Sequence, residues 1–300
     1  ILRQSYLAQQ PVTLGGPTIR HLPAFLEKAH GFRTLPAITR TPLRDQFNAL
    51  AETIENPRLR IALFAGCAID FIYPEQGRAL MNMMNGAKVQ VDFPMDQTCC
   101  GLPAMMAAEE GTAKEIAQQN LRAFNPDRYD HIVTLCASCA SHLTHNYEKI
   151  FKEAGDEPGR LPAFHSKVID FSSFMDQVFP FPETVKEKNV RVAYHAPCHL
   201  CRGLQVTDQP RELIKKAGYL YVPSEDEDVC CGFGGSYSVD FPEISSQILK
   251  KKLDNLEAVN PDILVTDCPG CILQLSGGLD KRGSAIRVMH IAELLERAFT

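Results

Sequence analysis

Short apolar runs alternate with longer amphipathic segments along most of the chain. Each run has the length of a buried strand, and the segments between them have the periodicity of helices. Strands are predicted at 61–65, 88–93, 131–135, 167–171, 191–195, 219–222, 262–266 and 287–291. Helices are predicted at 42–53, 75–86, 104–123, 210–217 and 244–259, with two more that follow the closing strands to 178 and 299. This alternation predicts an α/β fold with mainly parallel sheets flanked by helices and joined by right-handed crossovers.

The predicted elements occur twice in the same order, which indicates two tandem repeats. We predict a lead-in segment at 1–57, a first domain at 58–180 and a second domain at 181–300. The lead-in is punctuated by prolines, and we assign no chemistry to it. The closing strands of the two repeats are separated by fewer residues than the corresponding cysteines are. A longer loop around 153–163 in the first repeat explains this difference.

Ten of the eleven cysteines follow the same figure in both repeats: a lone cysteine, then Cys-Cys-Gly, then Cys-x-x-Cys. The first set is Cys67, Cys99, Cys100, Cys136 and Cys139. The second set is Cys198, Cys230, Cys231, Cys268 and Cys271, which leaves only Cys201 outside the pattern. These cysteines fall at or soon after the carboxyl ends of predicted strands, the edge where open α/β sheets place their ligands.

Five thiols per repeat indicate a site for a soft metal, since thiolates select iron–sulfur clusters, zinc or copper(I). Structural disulfides are disfavoured because nothing indicates secretion and adjacent cysteines bridge only with strain. Zinc normally takes four ligands, so five sulfurs suit it poorly, although zinc in one site stays as the alternative. A redox dithiol at Cys136/Cys139 or Cys268/Cys271 fits its setting but leaves the Cys-Cys pairs unexplained. The residues therefore favour iron–sulfur clusters.

Other polar and small residues lie close to the cysteines in sequence. The histidines are His142, His145, His195 and His199, which we expect near the sulfurs or at the surface rather than as ligands. A proton donor near a cluster would nevertheless suit disulfide or thiol chemistry. The glycines are Gly101, Gly232, Gly234 and Gly235, which either leave backbone amides free to approach sulfur or form ordinary tight turns. Their spacing is not that of a dinucleotide-binding loop.

Composition and charge exclude several classes of function. The 300 residues are 45% hydrophobic, which predicts globular domains, and a net charge of −5 gives no basic patch for nucleic acid. No apolar run approaches the roughly 18 residues of a membrane span, and the start of the chain does not read as a signal peptide. We predict a cytoplasmic protein, with membrane association only through partners on the cytoplasmic face.

The cysteine pattern of residues 60 to 300 resembles the cysteine-rich CCG domain. That domain occurs twice in one of the chains of heterodisulfide reductase, in the iron–sulfur subunit of glycolate oxidase, in an iron–sulfur chain of anaerobic glycerol-3-phosphate dehydrogenase and in the lactate-utilisation iron–sulfur protein. The segments most similar to the lactate-utilisation branch are 63–64, 71–75, 91–94, 97–101, 231–236 and 289–293. The resemblance implies a cluster at the carboxyl edge of each sheet, held by the ten patterned cysteines.

One difference from the lactate and glycolate branches supports two alternative functions. In the lactate and glycolate branches the first cysteine of the closing Cys-x-x-Cys is often replaced, whereas Cys136 and Cys268 are both present here, as in heterodisulfide reductase. The complete motif of that enzyme holds a non-cubane four-iron cluster that acts directly on a disulfide. The resemblance thus implies an electron-transfer subunit of a 2-hydroxy-acid oxidising complex, with L-lactate as the substrate, or else a catalytic disulfide reductase. A zinc-stabilised scaffold without redox activity is the third alternative.

The resemblance also implies cofactors and partners. We expect two iron–sulfur clusters, one per repeat, of the [4Fe–4S] type, with a non-cubane form as the alternative. No ferredoxin-type run of cysteines precedes Cys67, so we expect conventional clusters on a sister iron–sulfur subunit or in sequence absent here. Electrons would enter from that subunit, from a flavoprotein dehydrogenase subunit, or from both. We assign no residue of this chain a catalytic role.

Overall fold

Two parallel sheets dominate the structure, a computed structural model that describes residues 9, 13, 18–19, 31–153, 159–181 and 186–299. Much of the lead-in and part of the loop expected at 153–163 lie outside these residues. Within the lead-in, the short strands β1 (Thr18–Ile19) and β2 (Leu35–Pro36) pair in an antiparallel ladder. Helix α1 (Leu43–Leu50) follows them and is shorter than the predicted 42–53.

The first sheet contains four parallel strands in the order β4-β3-β5-β6. Its strands are β3 (Leu59–Phe64), β4 (Val89–Asp92), β5 (His131–Thr134) and β6 (Val168–Asp170). Its helices are α2 (Gly66–Phe71), α3 (Pro74–Gly86), α4 (Leu102–Met106), α5 (Glu110–Ala123), α6 (Ala137–Glu153), α7 (Leu161–Lys167) and α8 (Phe171–Gln177). A single 3-10 turn, Pro126–Arg128, precedes β5.

The second sheet has the same topology, with its four parallel strands in the order β8-β7-β9-β10. Its strands are β7 (Arg191–Tyr194), β8 (Leu220–Tyr221), β9 (Ile263–Thr266) and β10 (Arg287–His290). Its helices are α9 (Asp208–Lys216), α10 (Tyr237–Asp240), α11 (Pro242–Ala258), α12 (Pro269–Arg282) and α13 (Ile291–Phe299), with a π-helical turn at His199–Gly203. The prediction of two tandem α/β repeats is confirmed.

Burial of the central strands explains why their positions could be predicted from the sequence. All four residues of β9 are buried, and so are the last four residues of β3. Strands that are covered by helices on both faces read as continuous apolar runs, which distinguishes them from the alternating pattern of a half-exposed strand. The helices place one apolar face on the sheet; in α13, for example, Ile291, Leu294 and Leu295 are buried.

The structure corrects three local predictions. The helix predicted at 104–123 is two helices, α4 and α5, because the chain turns through Ala108 with a positive φ of 57°. Helix α2, directly after β3, was not predicted. Part of the loop predicted at 153–163 is helical, since α7 begins at Leu161.

The ends of β5 and β9 meet where the two repeats face each other. Ala137 donates its backbone N–H to the carbonyl oxygen of Asp267 at 3.0 Å. In return, His290 donates from Nε2 to the carbonyl oxygen of Leu135 at 2.6 Å, while its Nδ1 accepts the backbone N–H of Ala292. These buried hydrogen bonds hold the carboxyl ends of β5 and β9 against each other.

Helices support the same interface on its outer side. Asn82 of α3 donates to Glu296 of α13 at 2.6 Å, and the rings of Phe179 and Phe299 pack edge to face with centroids 5.6 Å apart. No helix within the described ranges is long and apolar enough to cross a membrane.

The end of the lead-in is anchored on α12. Thr34 donates its backbone N–H to the carbonyl oxygen of Gly277 at 3.1 Å. A Cβ atom at Gly277 would lie 2.2 Å from the carbonyl oxygen of Thr34, so the close approach of β2 to the helix requires glycine there.

We predict that Gly277→Ala lowers the free energy of unfolding by about 1 to 3 kcal/mol, because the added methyl group overpacks a buried contact. The matched control is Gly111→Ala in α5, where a Cβ atom meets open space and alanine is a good helix former. Thermal unfolding of the two variants under anaerobic conditions measures the difference. Equal melting temperatures in the two variants would contradict this account of the contact.

Candidate metal centres

The patterned cysteines gather at the carboxyl edge of each sheet. In the first sheet, Cys67 lies at the start of α2 after β3, Cys99 and Cys100 follow β4, and Cys136 follows β5. The strand order places the topological switch between β3 and β5, and between β7 and β9 in the second sheet. A crevice at such a switch point is where open α/β sheets bind ligands, so topology and cysteine pattern indicate the same position.

The five thiols of the first set are joined by hydrogen bonds. The Sγ atoms of Cys67 and Cys99 are 3.8 Å apart, and the thiol of Cys139 hydrogen bonds to Cys100 and to Cys136. Cys100, Cys136 and Cys139 are buried, whereas Cys67 and Cys99 are half-buried. The predicted first set therefore lies together, with two of its sulfurs nearer to solvent.

The second set repeats this arrangement. The Sγ atoms of Cys231 and Cys271 are 3.5 Å apart, and the thiol of Cys198 hydrogen bonds to Cys230. Cys268 and Cys271 are also hydrogen bonded to each other. Cys231, Cys268 and Cys271 are buried, while Cys198 and Cys230 are half-buried.

The two sets touch each other, which the sequence did not predict. Cys136 in the first repeat and Cys268 in the second are neighbours, and each shifts the pKa of the other. Ser138 lies at the same point, with its Oγ 3.4 Å from Cys268 Sγ and 2.9 Å from His199 Nδ1. All ten sulfurs thus belong to one continuous network of neighbouring thiols that spans both repeats.

Neighbouring thiols lower the pKa of three cysteines in the network and so favour their thiolate forms. Hydrogen bonds from Cys100 and Cys67 lower the pKa of Cys99 to about 3. In the second repeat, hydrogen bonds from Cys198 and Cys231 lower the pKa of Cys230 to about 2. Hydrogen bonds from Cys136 and Cys271 lower the pKa of Cys268 well below its ordinary value.

Glycine amides support two of these thiolates. The N–H of Gly232 donates to Cys230 Sγ at 3.3 Å, and the N–H of Gly101 hydrogen bonds to Cys99. Gly232 has a φ of 84°, and a Cβ atom there would lie 2.9 Å from the carbonyl oxygen of Ser245. The glycine that follows each Cys-Cys pair therefore allows a backbone amide to approach sulfur.

The sulfur geometry fits metal binding. Two thiolates on one tetrahedral ion with metal–sulfur bonds of about 2.3 Å lie about 3.8 Å apart. The separations of 3.8 Å for Cys67 and Cys99 and 3.5 Å for Cys231 and Cys271 are close to that value. Soft thiolates in convergent sets of five are also the donors that iron–sulfur clusters require, so the residues present fit such a group.

Buried cations lie beside the second set. Arg33 is 1% exposed and its guanidinium hydrogen bonds to Ser238 Oγ at 2.9 Å and to the side chain of Gln274. Burial lowers the pKa of Arg33 to about 10, so it stays charged at neutral pH, and the nearby Cys231 opposes the shift. Lys252 is also buried and donates to the carbonyl oxygens of Asp226 and Glu227.

Uncharged groups support the first set. Asn120 donates to the carbonyl oxygen of Cys99 at 2.8 Å, and Tyr147 donates its hydroxyl to the carbonyl oxygen of Cys100 at 2.9 Å. The imidazole of His142 lies edge to face with Tyr147, and burial lowers the pKa of His142 to about 4. The two sets therefore share a backbone plan but differ in electrostatic surroundings.

His195 lies inside the second set. Its side chain is 2% exposed, and neither ring nitrogen has a hydrogen-bond partner among the residues that the structure describes. A ring nitrogen, Cys231 Sγ and Cys271 Sγ all lie within 4.8 Å of one another. Burial lowers the pKa of His195 to about 3, with the positive charge of Lys252 acting in the same direction, so the ring is neutral.

The remaining candidates lie outside the network. Cys201 is half-buried in the π-helical turn, 4.0 Å from the carbonyl oxygen of Cys198. His145 contacts the carbonyl oxygen of Ser141 from the exposed side of α6. Three residues beside the sulfurs were missed in the sequence: Ser138, Arg33 and Lys252. Ser138 could have been noticed inside the Cys-x-x-Cys motif, but nothing in the sequence pattern marks Arg33 or Lys252.

The contact between Cys136 and Cys268 predicts a specific cross-link. We expect mild oxidation of the metal-free Cys139→Ser, Cys271→Ser double variant to form a disulfide between Cys136 and Cys268. The two substitutions remove a neighbouring thiol from each of these cysteines, which lie in contact. Peptide mass spectrometry without reduction detects the linked peptides. Adding Cys136→Ser is the control and should abolish the link, while failure of the double variant to cross-link would contradict the contact.

Comparison with known proteins agrees with the two-site arrangement. The profile of the CCG cysteine-rich domain matches residues 61–144 and 192–276. Lactate utilization protein A from Geobacillus sp. strain WCH70 is 35% identical over 239 residues, which are 79% of this chain and 99% of that protein. One of the chains of fumarate reductase (CoM/CoB) from Methanothermobacter marburgensis is 34% identical over 249 residues, but the match spans only 48% of its length.

Among solved structures, glutamate racemase isoform RacE1 from Bacillus anthracis aligns with 80% of this chain and 79% of its own. Its TM-score of 0.33 and sequence identity of 12% are too low to support an argument about fold or function. The sequence matches are decisive, since the matched domains cover both sulfur sets. The chain belongs to the cysteine-rich CCG domain family and contains one copy of the domain in each repeat.

Proposed function

We propose that this chain is an iron–sulfur electron-transfer subunit of a complex that oxidises a 2-hydroxy acid, with L-lactate as the substrate. The observation that carries the proposal is the pair of convergent five-cysteine sets at the carboxyl edges of two parallel sheets. A relative named lactate utilization protein A aligns over nearly its whole length, which supports lactate as the substrate of the complex.

Iron–sulfur clusters suit these sites better than zinc does. A tetrahedral zinc ion uses four ligands, so it would leave one thiol of each set unused in a buried or half-buried position. A cluster with several iron atoms can use all five, and it accepts and donates single electrons when bound. We therefore assign one [4Fe–4S] cluster to each repeat, held by the ten patterned cysteines.

The chain positions and tunes these groups. Glycine amides at 101 and 232 hydrogen bond to sulfur, and such hydrogen bonds favour the reduced state of a cluster by stabilising negative charge. The half-buried Cys67, Cys99, Cys198 and Cys230 give each site one side near the surface. The contact between Cys136 and Cys268 brings the sites close enough for direct electron exchange between them.

The oxidation itself belongs to a partner. Conversion of a 2-hydroxy acid to a 2-oxo acid releases two electrons and two protons, usually through hydride transfer to a flavin or nicotinamide. Thiols that serve as cluster ligands do not accept hydride. We propose that a flavoprotein subunit, a ferredoxin-type iron–sulfur subunit, or both supply the electrons, in the cytoplasm or at the cytoplasmic face of a membrane.

A second candidate function has a specific observation in its favour. Both closing motifs are complete, and the two sulfur sets meet at Cys136 and Cys268 beside the half-buried His199. A disulfide bound there would need two electrons and two protons to yield two thiols, and adjacent redox sites beside a histidine suit that stoichiometry. This would make the chain a heterodisulfide-reductase-like catalytic subunit with non-cubane clusters.

The cofactor assignment predicts metal content. We expect about eight iron atoms and similar acid-labile sulfide per chain after anaerobic purification, since each set would hold four. Cys99→Ser and Cys230→Ser should each lose about half of the iron, because each removes one ligand of one set. Cys201→Ser is the matched control and should retain the full amount. A colourless protein with stoichiometric zinc would instead support a zinc-stabilised scaffold.

The two functions predict different turnover. As an electron relay, the isolated chain should not oxidise lactate, and its chemically reduced form should reduce an electron carrier but not a disulfide. Anaerobic stopped-flow spectra with lactate and then with a thiol-derived disulfide measure both reactions. Lactate oxidation by the chain alone would refute the relay, whereas rapid reoxidation by disulfide, with a thiol-sensitive EPR signal, would favour the second candidate.

A further inference from the structure

The imidazole of His195 is buried without a partner from the part of the protein that the structure describes. A polar group removed from water without a hydrogen bond costs free energy, and nearly all such groups in folded proteins are paired. Both ring nitrogens of His195 lack that pairing, although the backbone N–H of the same residue bonds to Val265 in β9. The ring is therefore positioned for a group that the described residues do not supply.

Two sulfurs indicate what that group is. Cys231 Sγ and Cys271 Sγ are 3.5 Å apart, and a His195 nitrogen lies within 4.8 Å of both. A metal bonded to an imidazole nitrogen at about 2.1 Å and to a thiolate at about 2.3 Å holds the two donor atoms roughly 3.6 Å apart. Small side-chain movements would bring the nitrogen into that range.

The position in the first repeat that corresponds to His195 also holds an aromatic ring. Phe64 precedes Cys67 by three residues, as His195 precedes Cys198, and both lie at or just after the end of the central strand. The Phe64 ring is fully buried against Phe124, with centroids 5.4 Å apart. The second repeat therefore places two nitrogens where the first has only carbon.

We propose that His195 is a nitrogen donor to the iron of the second site, which would give this site mixed sulfur and nitrogen ligands. The inference rests on the proposed function and deepens it. A neutral nitrogen donor added to the five thiolates leaves the net charge of the site unchanged. The buried cations Arg33 and Lys252 raise its potential, so electrons pass from the first site to the second.

Nitrogen spectroscopy on the iron-loaded protein tests the ligand directly. Pulsed EPR of the reduced protein, prepared with natural and with 15N-labelled histidine, should show a nitrogen coupling of the size found for metal-bound imidazole. His195→Phe, which copies Phe64, should abolish the coupling and change the potential of one site only. His165→Phe is the matched control, since it makes the same exchange in α7 away from the cysteines, and it should change neither.

The outcomes separate this inference from the function on which it rests. A protein that holds iron and sulfide in both sites but shows no coupling to histidine nitrogen, or only the weak coupling of a hydrogen bond, would overturn the ligand and leave the proposed function intact. Iron and sulfide missing from both sites would overturn the proposed function and the ligand with it. Absence of the coupling from the labelled wild-type protein overturns the ligand even if His195→Phe does not fold.

Discussion

The backbone contact between the ends of β5 and β9 is the constraint on which the site depends. Ala137 donates to Asp267, and His290 donates to Leu135, so each repeat supplies a partner to the other next to its Cys-x-x-Cys motif. These groups are buried, where an unpaired donor or acceptor would cost about 1 to 3 kcal/mol. The hydrogen bonds therefore hold Cys136 against Cys268 and turn two sulfur sets into one assembly.

The two repeats have equivalent backbones, but the side chains around the two sulfur sets differ. Amide and hydroxyl groups from Asn120 and Tyr147 support the first set, whereas the buried cations Arg33 and Lys252 lie beside the second. Buried charges act through a medium of low dielectric constant, so they affect a nearby redox group far more than surface charges do. The same fold can thus hold two groups with different affinities for electrons.

Protons and metal compete for the same sulfurs. Neighbouring thiols lower the pKa values of Cys99, Cys230 and Cys268, whereas neighbouring thiols and burial raise that of Cys139. A bound metal replaces those protons, so binding releases protons and its free energy adds to that of folding. The stability of this protein and the occupancy of its sites are consequently linked.

The sequence alone determined the repeated α/β order and the repeated pattern of ten cysteines, because strand periodicity and cysteine spacing are local properties that survive without tertiary information. It did not reveal the break at Ala108, where the backbone conformation rather than composition divides α4 from α5. Only the tertiary structure joined Cys136 to Cys268, placed Arg33 beside the second set and left the ring of His195 without a partner. Each of these depends on packing between segments far apart in the chain, which no local pattern encodes.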